Sequence, residues 1–458
     1  MTPNALRHTL LAAVAAFALT GPAAAQDDRI TIRWWHAMSG GLGDALEEIV
    51  ARFNASQDRW VIEETFKGRY RVVLNNTIAA YRAGEHPHLF QNNETGVITL
   101  LLSGAIVPVH TLLEQHDVAV DLDAYLPPVV DTYTYEGKLL GMPFNSSTPI
   151  MYYNAELLRA AGFDAGPATW QEMEAMIAAA RAQGVGVADG DLVCGYAYSG
   201  GMWDNVENWS AIHDQPYTTG RNGRDGLEVE LVYNETALVG HQERLARWLE
   251  TGLAEFGAES PTDWSSAAFT NWGNGNCLFW SGSTASHARV EATAEFDWSA
   301  VPFPYDSDVV DQPRNSTIGG AALYALKGFS EEEYEGIAAF FEMLTSVEIQ
   351  KFWHQATGYV PITLDAYEQL VKDGYYDANP TYEIAVEQLL RTEPNANGRV
   401  PRIGNFENVR MALEAELQKV YAGEQDVQTA LDEGVRRGNV ILERFARQNA
   451  GNFDNIDF

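Results

Sequence analysis

Cysteine is nearly absent: the 458 residues hold two, Cys194 and Cys277, which excludes a small scaffold stapled by disulfides. Basic residues are scarce as well, 30 against 63 acidic ones for a formal charge of −33. A chain of that sign repels phosphate backbones and anionic leaflets, so no nucleic-acid partner is expected. Apolar runs of 18 or more residues, long enough to span a bilayer, are missing. Neither G-x-x-x-x-G-K-[ST] nor a convincing G-x-G-x-x-G occurs to cradle a nucleotide. Ser281-Gly282-Ser283 lacks the elbow pattern of a serine hydrolase. His86-Pro87-His88 is the only close histidine pair, with no third ligand at metal spacing, so a turn is expected there and neither a metal nor a cofactor is implied.

What is present begins with an address. Arg7 and His8 precede an apolar stretch from Leu10 to Thr20, and Ala23-Ala24-Ala25 precede Gln26; this is the layout of a signal peptide over 1–25, cleaved after Ala25. No Cys follows the apolar stretch, so the expectation is a free exported protein, periplasmic rather than lipid-anchored. In an oxidising compartment the even cysteine pair is a disulfide candidate, worth about 4–5 kcal/mol on the chain-entropy model, two buried thiols being the alternative.

The length is about three times that of a typical domain, which calls for two lobes with separate cores. Short apolar runs alternate with amphipathic segments. Ile30 to Trp35, Trp60 to Phe66 and His88 to Asn92 are predicted strands, and Leu42 to Phe53 and Tyr70 to Arg82 predicted helices, giving an α/β lobe with a mostly parallel sheet. The alternation resumes beyond Pro143, with helices near Ala155 to Ala161 and Trp170 to Ala182. Two more breaks, Arg314 to Leu323 and Trp353 to Pro361, look like further crossings between lobes. Three crossings imply a hinge with a ligand cleft between lobes. The division expected is 26–142 plus 318–357 for lobe 1 and 146–316 plus 361–458 for lobe 2, with crossings near 143–145, 314–320 and 357–361.

Twelve Trp and twenty Tyr would suit a polyol or sugar site, although most are expected in the core. Trp203, among Gly200, Gly201, Asp204 and Asn205, is the exception, because nothing around it reads as a strand or a helix face. Paired carboxylates for glycoside hydrolysis stay open as an alternative, since spacing alone cannot place them.

The run Pro149-Ile150-Met151-Tyr152-Tyr153-Asn154 through Leu157, Ala161 and Gly162 to Thr169-Trp170 resembles the solute-binding proteins of ABC importers, in the maltose-binding-like class. Trp35-His36-Ala37-Met38, Phe66-Lys67-Gly68-Arg69-Tyr70, Pro143-Phe144-Asn145-Ser146-Ser147-Thr148-Pro149, Ile318-Gly319-Gly320-Ala321 and Trp353 to Ile362 resemble its glycerol-3-phosphate-binding branch, over essentially the whole exported chain. The resemblance implies a two-lobed periplasmic binding protein fold that catalyses nothing. Such a protein captures sn-glycerol 3-phosphate or a glycerophosphodiester and works as a monomer with importer membrane subunits.

It also implies ligand contacts from Tyr70, Glu94, Ser147, Ser283, Gly320, Tyr359 and Arg410, to which Trp203 is added. These types fit the chemistry. Arg410 offers a bidentate fork to phosphate, Ser147, Ser283 and Tyr359 offer hydroxyls, and Gly320 offers an N–H that a bare Cα lets a ligand approach, while Glu94 accepts from glycerol hydroxyls. Each has a plainer role: a helix partner for Arg410 in Glu414, a turn at Gly320, a cap at Ser147. Gly200 stands where that branch has a second Trp, so a roomier pocket and a larger head group such as that of glycerophosphocholine are expected, with Trp203 facing a cation. Either Ser281 or Ser283 could be the donor, and Arg402 is a second candidate cation. The alternatives are a maltose-type sugar binder and an extracytoplasmic glycoside hydrolase.

Overall fold

The computed structural model describes residues 29–186, 191–259 and 266–453; the signal peptide expected over 1–25 lies outside them. In chain order the strands are β1 (Ile30–His36), β2 (Trp60–Phe66), β3 (Leu89–Asn93), β4 (Ile106–Val107), the small hairpin β5 (Thr134–Tyr135) and β6 (Lys138–Leu139), then β7 (Met142–Ser147) and β8 (Pro149–Asn154). They continue with β9 (Cys194–Tyr198), β10 (Ala254–Phe256), β11 (Cys277–Ser283), β12 (Trp298–Pro302) and β13 (Gly319–Leu326). Two large sheets result. The first has the order β2-β1-β3-β13-β4, with β7 also on β13, and the second the order β10-β9-β11-β8-β12.

Helix formation follows the apolar spacing. In Gly41–Ser56 the buried Leu46, Ile49, Val50 and Phe53 fall on one stripe, which packs on the sheet. Trp170–Ala182 starts from a reciprocal cap between Thr169 and Glu172, the arrangement that satisfies two orphan N–H groups at once. All six residues of β8 are buried, as expected for an apolar run with elements on both faces. Of the twelve tryptophans, Trp34, Trp60, Trp170, Trp209, Trp248, Trp272, Trp280 and Trp353 are core. Among the described residues no helix is long and apolar enough to cross a membrane.

The first sheet is mixed, contrary to the mostly parallel expectation: β2 and β3 run parallel to β1, but β13 is antiparallel to β3, β4 and β7. The reason is the connectivity, since β13 returns from the other lobe and enters the sheet from its opposite end. The chain leaves the first sheet at Thr148, between β7 and β8, comes back with β13, and crosses again after the helix Val347–Thr357, which Gly358 ends in a left-handed cap. Beyond it, Pro380–Leu389 packs on β12 and β8. Cys194 and Cys277 are directly paired on the parallel strands β9 and β11 and form a disulfide.

Candidate functional site

The carboxyl ends of β3, β7, β9 and β11 meet the amino ends of β8 and β13 where the two sheets face each other. β7 and β13 set the floor. Gly319 pairs with Ser147 and Gly320 with Ser146, and the register then shifts near Pro143, which has no N–H to give to a ladder. Gly320 is neither turn nor helix. It sits in β13 with φ +105°, and a Cβ there would lie 1.8 Å from the carbonyl oxygen of Asn145, so the approach of β7 requires glycine.

Asn145 organises the neutral part of the floor. Its Nδ2 donates to the Tyr70 hydroxyl at 2.8 Å, and its Oδ1 accepts from Gln91 Nε2 at 2.7 Å. Gln91 Oε1 in turn accepts from the Ala37 backbone at 2.8 Å, tying the loop after β1 to the floor. The Tyr359 hydroxyl joins Tyr70 and Asn145, and burial pushes it up to about 12. Burial also raises Tyr70, so both phenols stay protonated and can donate. Tyr359 stacks on Trp353 with the rings 5° from parallel.

Ser147 lies beside this cluster, and the end of β11 is drawn up to it, because Thr284 N–H donates to the Thr148 carbonyl at 3.0 Å. Ser283 Oγ accepts from Ala285 N–H and so caps the following turn. Ser281, two residues earlier on β11, donates to Asp204 at 2.7 Å and lies 2.6 Å from the Tyr196 hydroxyl.

The other part of the floor is ionic. Arg410, on the helix Phe406–Tyr421, does not pair with Glu414. Its Nε and Nη2 each donate to Glu207 at 2.5 Å, and Nη2 also reaches Glu94 at 2.7 Å. Glu94 directly follows β3 in the first lobe, so the pair with Arg410 spans the cleft. Burial works against the charge on Arg410, but Glu207 and Glu94 outweigh it and hold the guanidinium protonated. Burial, opposed by Arg410, raises both carboxylates, and each is pushed further by neighbouring acids.

Trp203 is not in an irregular loop: Trp203–Asn208 forms a turn of π-helix, a feature often found at functional positions. Its indole N–H donates to the Ile318 carbonyl at 3.4 Å, and its ring lies over Gly319, where a Cβ would come within 2.5 Å. Asp204, next in the chain, is pushed up to about 7 by burial. The room expected beside Gly200 is taken: its φ is +76°, and a Cβ there would lie 2.8 Å from the ring of Phe256. Arg402 is committed elsewhere, donating to the Asp131 and Thr134 carbonyls at 2.6 and 2.8 Å at the end of the helix Pro127–Tyr133. A cavity of about 400 Å³ there, lined by Pro127, Asp131, Thr317, Arg399 and Arg402 among others, touches none of the eight residues singled out from the sequence.

The structure therefore gathers Tyr70, Tyr359, Ser147, Ser283 and Gly320 about the neutral floor, Glu94 and Arg410 in the ionic set, and Trp203 against β13 between the lobes. Sequence reasoning did not single out Asn145, Gln91, Asp204 or Glu207. Asn145 stands inside the Pro-Phe-Asn-Ser-Ser run and could have been found there. Glu207 carried no signal, because its partner is 203 positions away.

Residues 48–383 match the family model of the bacterial extracellular solute-binding proteins. The chain is 38% identical over 423 residues to the sn-glycerol-3-phosphate-binding periplasmic protein UgpB of Yersinia pseudotuberculosis, covering 91% of this chain and 93% of that one. It is 37% identical over 446 residues to UgpB of Salmonella typhimurium, covering 96% and 98%. Among solved structures, UgpB from Mycobacterium tuberculosis in complex with glycerophosphocholine superposes with a TM-score of 0.73 at 22% identity, covering 91% of this chain and 99% of that one. The sugar-binding protein MalE from Xanthomonas citri superposes with a TM-score of 0.68 at 19% identity, over 91% and 98%. Both share the two-lobed fold.

Proposed function

This chain belongs to the bacterial extracellular solute-binding proteins, and from that premise we propose that it captures a glycerophosphate compound between its lobes and delivers it to the membrane subunits of an ABC importer. The protein works in the periplasm as a monomer released from its signal peptide after Ala25, and it binds without catalysing. Closure about the three crossings brings Tyr70, Glu94, Ser147, Gly320 and Tyr359 from the first lobe and its margins against Trp203, Ser283 and Arg410. The hydroxyl and N–H donors take the oxygens of the ligand, Arg410 supplies a buried cation at the cleft floor, and Glu94 accepts from glycerol hydroxyls.

One observation supports this reading above the others: a buried guanidinium bonded to Glu94 at the end of β3, in a chain that also buries the Tyr70–Asn145 pair at the end of β7 and whose relatives at 37–38% identity are named for glycerol 3-phosphate. A site for neutral sugar has no need of that cation. As for a glycoside hydrolase, Glu94 and Glu207 both accept from Arg410, which holds these two as one ionic set rather than as an acid and a base on either side of a water.

The test is a thermal and calorimetric titration with glycerol 3-phosphate, glycerophosphocholine, inorganic phosphate and maltose. At a hundred times the dissociation constant a ligand stabilises by about 2.7 kcal/mol. Stabilisation by a glycerophosphate compound and not by maltose is expected, and stabilisation by maltose alone overturns the reading.

A further inference from the structure

Arg410 is outnumbered where it is buried. Its guanidinium is 12% exposed and its partners Glu94 and Glu207 are 4% and 3% exposed, so with both carboxylates ionised the set carries one negative charge in excess before any ligand arrives. Further acids surround it. Glu407 lies on the same helix one turn before Arg410, and Glu414 one turn after it, while Asp204 lies next to Trp203. The basic side chains at this rim are already engaged: Arg69 pairs with Glu259 at 2.9 Å, and Arg71 Nη1 donates to the Met411 sulfur at 3.0 Å. Size does not make the selection at Gly200, because Phe256 fills that space.

Resting on the glycerophosphate reading above, we propose that Glu207 is a specificity-determining residue: its carboxylate, engaged with both Nε and Nη2 of Arg410, sets the cleft against a dianionic glycerol phosphomonoester and in favour of a glycerophosphodiester. A phosphomonoester carries about −1.5 to −2 at neutral pH, a diester a single charge. Each added negative charge meets a buried set that is already negative, in surroundings that screen it poorly. A diester with an ammonium or trimethylammonium head group is neutral overall and brings a cation to the acids of the rim. The turn that carries Glu207 is anchored to the second crossing, where Asn208 Oδ1 accepts from Thr317 N–H at 2.8 Å.

The experiment titrates the exported chain calorimetrically with sn-glycerol 3-phosphate, with its methyl phosphodiester and with glycerophosphocholine, in the wild type and in Glu207→Gln. The wild type is expected to bind the methyl diester at least about tenfold more tightly than the monoester, and Glu207→Gln to narrow that ratio by about tenfold through a gain for the monoester. Equal or tighter binding of the monoester by the wild type overturns the proposal, as does an unchanged ratio in a folded Glu207→Gln. If that variant does not fold, the wild-type comparison decides alone, since monoester and methyl diester differ by one charge and one methyl group. Failure of all three compounds to bind is a different outcome: it overturns the glycerophosphate reading, and this inference with it.

Discussion

At the Tyr70 end of the cleft floor the buried polar groups are neutral, and at the Arg410 end they are charged. Asn145 bonds Gln91 and Tyr70 at 2.7 and 2.8 Å, with Tyr359 joining them, and Glu94, Glu207 and Arg410 satisfy one another through bonds of 2.5–2.7 Å. The difference lies in range. A neutral hydrogen bond acts over its own length and contributes about 1 kcal/mol net, so that end fixes where a ligand oxygen can sit. A buried charge acts over several ångströms, so the other end decides how much charge a ligand can bring. Position and charge selection are thus divided between two networks that meet at the margin between the lobes.

The comparison breaks most sharply at Arg410. Arg410→Ala leaves two buried carboxylates without a cation, so stability should fall by about 3–5 kcal/mol in denaturant titrations. Binding of any glycerophosphate compound should be lost in calorimetry; binding within tenfold of the wild type would return Arg410 to a structural role.

Asp204 is a charged group lacking such a partner, and it sharpens the contrast. Burial raises it from its usual value to about 7, so the folded state binds its proton more tightly than the unfolded chain. This acid therefore costs nothing below about pH 4, and its cost grows as pH rises towards 7. Asp204→Asn should accordingly stabilise the protein by about 2–4 kcal/mol at pH 8, with the gain vanishing near pH 4, read from melting curves across pH. A constant difference at all pH values would mean that the carboxylate is not buried in solution.

At the neutral end, Gly320→Ala should cost about 2 kcal/mol of stability, because the backbone there disfavours a side chain and Asn145 blocks it. The gentlest change is Tyr359→Phe, expected to weaken binding about three- to tenfold for monoester and diester alike. A change in their ratio would show that the two networks are coupled.

Much of the fold was legible because it is local. The strands Ile30–His36 and Trp60–Phe66 and the helices Tyr70–Ala83 and Trp170–Ala182 lie within a residue or so of the expected spans, since apolar spacing and caps act over one or two turns. The parallel sheet was misjudged because the direction of β13 depends on where the chain has been, which no window of residues records. The polar stretch from Gly200 to Asn208 reads as a loop by composition, yet it folds into a π-helical turn because Trp203 packs on Gly319 of a distant strand. Ser281 and Ser283 were indistinguishable in the sequence; their partners separate them, since Ser281 donates to Asp204 while Ser283 caps the turn after β11.

By itself, then, the sequence determined the two-lobed α/β class and the acidic character, because composition and short-range periodicity follow from the order of residues alone, while the cleft residues were expected from a family resemblance. The tertiary structure decided that Arg410 is shared by Glu94 and Glu207, that Phe256 occupies the space beside Gly200, and that Asn145 rather than a ligand-facing serine organises the floor. Those contacts join residues far apart in the chain. Their energies depend on burial and distance, and both exist only once the lobes have packed.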